Sequence, residues 1–259
     1  RVCCAFLTSF ICAENLGTNR RAIEMTRLND GIILPNRKTT LSEVITALNE
    51  ENHKTVDESK KMVLQEWLGL LISNINIYET KKSLMLYSPL GNTGKSVFLN
   101  IIKEFLGVEN TINIPLQKMS DRFVVADMYG KRVNIVGDQQ SNDISDSSGF
   151  KQATGGDPLK VEFKGKGGFN WVYTGGVVTA CNVLPSFTDD KGGHIFERIS
   201  LIPCEYTIPA EKRDGKLLNK LTKELDGIFI WAMEGLKRLK DNNFKFSKCL
   251  ASEECVKEY

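Results

Sequence analysis

Residues 83–96 of the chain read SLMLYSPLGNTGKS. The apolar run Leu84–Tyr87 predicts a short buried strand, and the Pro- and Gly-containing residues after it predict a loop. From Lys95 onward, apolar residues recur at helical spacing as far as Gly107, a residue type common just past a helix end. A strand, a loop, Gly-Lys-Ser and a helix in this order are typical of a phosphate-binding loop, because backbone N–H groups at the helix N-terminus face the anion.

The loop also predicts which residues hold a nucleotide and its metal ion. In loops of this kind the lysine contacts the terminal phosphates and the next hydroxyl binds Mg²⁺. We therefore expect Lys95 to contact phosphate and Ser96 to bind Mg²⁺. The predicted cofactor-binding set is Gly91, Asn92, Thr93, Gly94, Lys95, Ser96 and Val97. Pro89 stands where the full GxxxxGK[ST] pattern has its first glycine, so a strand–turn–helix with a surface lysine is the alternative interpretation.

Composition fits a folded chain without a global positive charge. The chain has 259 residues, 41% of them hydrophobic, and a net charge of only +2. Any nucleic-acid site must therefore be a local basic patch. The seven cysteines form no CxxC pair and there are only two histidines, which argues against a structural zinc site and fits reduced thiols. Residues 2–13 are apolar but favour a buried helix or strand over a signal peptide, and we expect a cytoplasmic protein without a membrane span.

The order of patterns along the chain predicts three parts. Residues 1–79 are expected to be a mostly helical N-terminal portion, with a hairpin at 23–34, a capped helix at 40–48 and a second helix starting near Asp57. Residues 80–207 carry the strand-rich core. Residues 208–259 form a C-terminal helical segment, with helix predicted over 212–240.

A second strand pattern ends in an acid. Residues 131–138 read KRVNIVGD, and a carboxylate at the end of a strand can hold Mg²⁺ or orient the attacking water in a phosphate-loop enzyme. Asp138 is therefore the candidate acid. Gln139 and Gln140 follow it in place of a second acid, and a simple turn aspartate is the alternative.

Residues 150–173 combine a turn-rich stretch with a cationic hairpin. We expect a loop at 150–158, then two strands at 159–163 and 169–173 joined by KGKGG. Lys164 and Lys166 lie between glycines, which lets them approach a phosphate backbone closely, and aromatic residues lie nearby. A solvated loop is the alternative interpretation.

Two further polar residues lie at the ends of a later strand pair. Asn182 follows the apolar run 177–181, where its side chain can sense a γ-phosphate. Arg198 precedes the run 199–203 and is either a surface cation or the arginine that stabilises a transferring phosphoryl group. His194 has no evident ligand partners and is interpreted as structural.

Taken in order, these motifs resemble the superfamily 3 helicases, specifically the helicase part of phage and plasmid primase–helicases. The matching segments are LYSPLGNTGKSVFLNIIKEFLG, YGKRVNIVGD, FKQATGGDPLKVEFKGKGGF, VVTACNVLP and HIFERISLIP. The resemblance covers residues 60–245. It implies an α/β fold: an AAA+-like P-loop NTPase core with a central, mostly parallel sheet, a helical N-terminal portion and a helical C-terminal tail.

The resemblance also implies roles for individual residues and partners. Such proteins are ATPases that use Mg²⁺ and assemble as a ring, usually a hexamer, around single-stranded DNA. By resemblance, Lys95, Asp138 and Asn182 form the catalytic site with Arg198 supplied by the neighbouring subunit. Ser96 and Asp138 would hold Mg²⁺. The implied DNA contacts are Lys164, Lys166 and Lys151.

The expected function is an ATP-dependent DNA helicase that acts on single-stranded or forked DNA during replication of a phage, plasmid or mobile element. A primase domain upstream of Arg1, or a separate primase, is an expected partner. Two alternatives remain at this point: an AAA+-type ATPase that remodels or loads other replication proteins, and a non-hydrolysing DNA-binding module. Pro89 and the lone Asp138 favour the second of these.

Overall fold

The computed structural model of the chain describes residues 58–190 and 193–258. The hairpin expected at 23–34, the capped helix at 40–48 and the apolar run at 2–13 lie outside these residues. The helix expected to start near Asp57 is present and begins at Glu58.

Seven helices and seven strands make up the described part of the chain. The strands are β1 Ser83–Tyr87, β2 Thr111–Ile112, β3 Val133–Val136, β4 Pro158–Val161, β5 Phe169–Val172, β6 Gly176–Cys181 and β7 Ile199–Pro203. The helices are α1 Glu58–Ile72, α2 Lys95–Leu106, α3 Val125–Met128, α4 Ser148–Gly155, α5 Leu217–Leu221, α6 Leu225–Asp241 and α7 Leu250–Glu258. Short 3₁₀ turns lie at Ile77–Thr80, Val108–Asn110, Leu116–Lys118, Phe196–Arg198, Ala210–Lys212 and Thr222–Glu224.

Five strands form a parallel sheet in the order β2-β3-β6-β1-β7. The structure therefore confirms the predicted α/β fold with a central parallel sheet. Leu84 of β1 pairs with Val178 of β6 on one side and with Ser200 of β7 on the other. The chain leaves β1 for β2 and β3 on the first side, whereas β7 lies on the second. The carboxyl end of β1 is thus the switch point at which open α/β sheets bind ligands.

The sheet is covered on both faces, which explains why its strands are apolar throughout. Leu84 and Leu86 of β1 face one hydrophobic cluster, which α1, α2 and α6 complete. Met85, between them, faces a second cluster with α3, α4 and the base of the β4–β5 hairpin. This alternation places α2 on one face of the sheet and the hairpin on the other.

The stretch predicted as a loop at 150–158 is largely helical, because α4 covers Ser148–Gly155. Phe150, Ala153 and Thr154 are buried at helical spacing. Gly149 lets the helix approach a neighbouring loop, since a Cβ there would lie 2.1 Å from the carbonyl oxygen of Met119. The prediction was wrong because tertiary packing outweighed the glycines at 149 and 155.

Helix α1 packs against α6 of the C-terminal helical segment. They share one hydrophobic cluster with α2 and the sheet. The helix expected over 212–240 is interrupted, because Asp214 accepts the backbone N–H of Lys216 at 2.8 Å and α5 begins only at Leu217. Among residues 58–190 and 193–258, no helix combines the length and hydropathy that a bilayer crossing requires.

Candidate nucleotide site and basic hairpin

The loop between β1 and α2 is anchored at its first residue. Ser88 is buried, its backbone N–H donates to the Cys181 carbonyl at 3.1 Å, and its hydroxyl accepts the Leu90 N–H at 3.1 Å. Asn92 (φ 56°) and Gly94 (φ 84°) adopt left-handed backbone, which turns the chain into α2. These contacts hold the loop at the carboxyl edge of the sheet.

The segment after β7 braces the other side of the loop. The Cys204 N–H donates to the Tyr87 carbonyl at 2.7 Å, and the Ile208 N–H donates to the Asn92 carbonyl at 3.0 Å. The Thr207 hydroxyl donates to the Gly91 carbonyl at 3.3 Å. Two loop carbonyls are therefore engaged away from the helix N-terminus. Within the described residues, no side chain caps α2, so its first N–H groups are available to an anion.

Lys95 lies at the centre of the site. Its Nζ donates to Asn182 Oδ1 at 3.0 Å and to Thr93 Oγ1 at 3.3 Å. Burial lowers the pKa of Lys95, an effect that the carboxylate of Asp138 partly opposes. An arriving phosphate would replace neutral oxygen partners with anionic ones and favour the charged lysine.

Two buried cysteines, Cys181 and Cys204, lie near Lys95, and the sequence interpretation missed both. Burial raises the pKa of Cys181 and of Cys204 to about 12, so both thiols are neutral at physiological pH. Their sequence signal was their position, because each lies at the carboxyl end of a strand.

Asp138 lies at the same edge of the sheet, two residues after β3, and is exposed. The neighbouring Gln139 is buried and structural: its N–H donates to the Ala180 carbonyl at 2.7 Å, and its side chain accepts the Leu116 N–H at 2.9 Å. Gln139 therefore braces this edge of the sheet, whereas Asp138 is open to solvent. The described residues contain no group of three or more His, Cys, Asp or Glu suited to a metal ion, so a metal here would need ligands such as Ser96 and phosphate oxygens.

Arg198 lies at the opposite end of the parallel strands, where they begin. It directly precedes β7, whose first residue, Ile199, pairs with Ser83 at the start of β1. At about 3.3 Å per residue, the length of β1 separates Arg198 from the loop by more than about 13 Å. Its Nη1 donates to the Lys151 carbonyl and to Thr154 Oγ1, each at 3.3 Å. The structure thus does not bring Arg198 together with Lys95 in one chain.

The three lysines predicted to contact DNA lie in two different places. Lys164 and Lys166 are exposed at the tip of the β4–β5 hairpin, and neither forms an ion pair with any residue that the structure describes. Lys151 is half-buried on α4 and pairs with Asp189 at 3.5 Å. Of these three lysines, the two at the hairpin tip are therefore free to meet a ligand, whereas Lys151 helps to join α4 to the Asp189 loop.

Comparison with known proteins gives a family model and a fold. A model described as a family of unknown function, DUF5906, matches residues 86–198. Two structures of the NrS-1 C-terminal region match 86% and 87% of this chain, with TM-scores of 0.57 and 0.59 at 12% and 13% identity. The chain spans 52% of each, about half their length. An X-ray structure of JCV Helicase matches 77% of this chain over 60% of its own length, at 15% identity. Its TM-score of 0.39 is too low to establish a shared fold. The chain therefore shares its fold with the NrS-1 C-terminal region.

Proposed function

We propose that the protein is an ATP-dependent DNA helicase that assembles as a ring and translocates on single-stranded DNA. The ring would be a hexamer, as the resemblance to superfamily 3 implies, and the replicating element would be a phage, plasmid or other mobile element. The observation that carries this proposal is the 3.0 Å contact between Lys95 and Asn182 beside the uncapped N-terminus of α2. One hydrogen bond joins the predicted phosphate lysine to the predicted phosphate sensor, which supports a common role at the terminal phosphate.

The nucleotide would occupy the loop of residues 91–97. The first N–H groups of α2 and Lys95 would hold the phosphates of ATP, and Ser96 and Asp138 would hold Mg²⁺. Because Lys95 already lies against Asn182, binding of a γ-phosphate would change the partner of both side chains. Asn182 would in this way couple the state of the nucleotide to the strand that carries it.

The position of Arg198 supports a site shared between subunits. In its own chain Arg198 lies across the sheet from the loop, so it can reach a nucleotide only on a neighbouring subunit. An arginine supplied in this way stabilises the charge on the transferring phosphoryl group. A closed ring would give every subunit both halves of such a site.

The exposed Lys164 and Lys166 would contact the DNA backbone in the ring's channel. Contacts to phosphate carry no sequence information, so translocation would be independent of sequence. Movement of the hairpin with the nucleotide cycle would draw the strand through the ring.

Strand displacement on a forked DNA substrate tests the proposal. We expect ATP- and Mg²⁺-dependent unwinding by the native protein and none by Lys95→Ala, which removes the phosphate contact. Gel separation of displaced strand from duplex gives the readout. ATP hydrolysis without unwinding would instead identify a remodelling or loading ATPase, and DNA binding without hydrolysis in any oligomer would identify a non-hydrolysing module.

Asn182→Ala should lower ATP turnover about 100-fold while leaving ATP binding within about threefold of native, because one positioned polar group contributes this much to a transition state. Lys95 keeps Thr93 and loop carbonyls as partners, so the loop should stay folded. Steady-state hydrolysis and binding of a fluorescent ATP analogue provide the two measurements. Asn219→Ala, at an exposed position on α5, is the matched control. Equal turnover in the two variants would contradict the sensor role.

A further inference from the structure

Exposed aromatic rings lie next to the tip of the basic hairpin. Tyr129, Phe163 and Phe169 are 49%, 39% and 41% exposed, and Trp171 is half-buried beside them. Rings of this size are usually buried where they serve only the core. Their exposure at one place makes this cluster a candidate contact surface.

The rings are fixed in place by one another and by the core. The centroid of Tyr129 lies 5.3 Å from those of both Phe169 and Trp171, with edge-on geometry, and Phe163 lies 6.5 Å from Phe169. Trp171 in turn contacts the buried ring of Tyr173 at 5.6 Å. The exposed rings are thus held before any ligand arrives, which lowers the entropic cost of binding.

The charge beside these rings favours one kind of partner. Lys164 and Lys166 lie between Phe163 and Phe169 in the chain, and within the described residues no carboxylate pairs with either. Ring faces next to free cations are the combination that binds single-stranded nucleic acid, because bases stack while phosphates meet the cations.

We propose that Tyr129, Phe163 and Phe169 form a stacking platform for unpaired bases next to the lysine tip. This inference rests on the proposed function and deepens it, since it assigns base contacts where the function needs only phosphate contacts. Bases within a duplex are stacked on one another and cannot reach the rings. The platform would therefore make the hairpin prefer single strands to duplex, with little dependence on sequence.

A pair of substitutions at Phe169 separates stacking from simple hydrophobic contact. Phe169→Leu keeps an apolar side chain but removes the ring, whereas Phe169→Tyr keeps the ring. Fluorescence anisotropy would measure binding of oligo-dT and of an abasic oligonucleotide of equal length at one salt concentration. We expect native protein and Phe169→Tyr to bind oligo-dT about tenfold more tightly than the abasic strand, and Phe169→Leu to lose that preference.

The controls distinguish this inference from the proposed function. Lys164→Ala with Lys166→Ala should weaken binding to both oligonucleotides alike, and Leu250→Ala, an exposed apolar position on α7, should change neither. Equal native affinity for the two oligonucleotides would overturn the platform and leave the proposed function standing. Absence of binding to either would overturn both. A changed oligomer mass for Phe169→Leu, with equal losses on both strands, would show a subunit contact and overturn the platform.

Discussion

Arg198→Ala and Lys95→Ala proteins should each hydrolyse ATP at least about 1,000-fold more slowly than the native protein, whereas a mixture of the two should recover activity. Arg198 directly precedes β7, at the amino-terminal end of the parallel strands. Lys95 begins α2 at their carboxyl end. A single chain therefore holds only half of each proposed site. In an equal mixture, about one quarter of the interfaces would pair an intact loop with an intact arginine by random assortment in a ring.

Steady-state ATPase assays on the separate and mixed proteins measure this effect. Lys237→Ala, which removes an exposed cation from α6, is the control for loss of charge alone and should leave turnover near native. Mass measurements would first show that both variants assemble. A mixture that assembles and stays inactive would contradict the shared site, and full activity of Arg198→Ala alone would remove Arg198 from catalysis.

Gly235→Ala should destabilise the fold by about 3 kcal/mol, because α6 crosses α1 without room for a side chain. A Cβ at Gly235 would lie 2.5 Å from the backbone carbon and oxygen of Gln65. The crossing is further fixed by Gln65 Nε2, which donates to the Trp231 carbonyl at 2.6 Å, and by Arg238, which pairs with Glu66 at 2.7 Å. Separation of the helices would therefore disturb polar contacts as well as packing.

Thermal unfolding provides the measurement, with an expected fall in midpoint of about 6–12 °C. Gly227→Ala is the matched control, since it lies on the same helix and a Cβ there would meet no atom of another element within 4 Å. That substitution should be neutral or stabilise by up to about 1 kcal/mol, the gain in helix propensity. Equal midpoints for the two variants would show that the crossing tolerates a methyl group.

The strands and helices of the core were largely predictable because their signals are local. The run at 84–87 and the apolar spacing after Lys95 depend only on neighbouring residues, and both elements are present as expected. Helix α4 was not predictable in this way, since burial of Phe150 and Ala153 depends on segments far along the chain. The order of strands depends on long-range pairing, in which β2 contributes only two residues.

The sequence predicted which residues of the site lie together only where those residues directly follow the ends of strands. Lys95 and Asn182 are 87 residues apart in sequence, yet both follow carboxyl ends of neighbouring parallel strands and so meet. The thiols of Cys181 and Cys204 carry no motif, and their raised pKa depends on burial that sequence does not reveal. The trans role of Arg198 stays a prediction, because it concerns a second subunit.

Strand β7 joins the two proposed half-sites through one short piece of backbone. It begins next to Arg198, and the Cys204 N–H just beyond its end donates to Tyr87 at the entrance of the loop. A parallel strand paired along its length is stiff, so displacement at one end is carried to the other. In the proposed ring, one end of β7 would then lie next to the subunit's own nucleotide and the other end next to its neighbour's. Displacement caused by either nucleotide would reach both ends. The strand would thereby couple ATP hydrolysis at one site to hydrolysis at the next site around the ring.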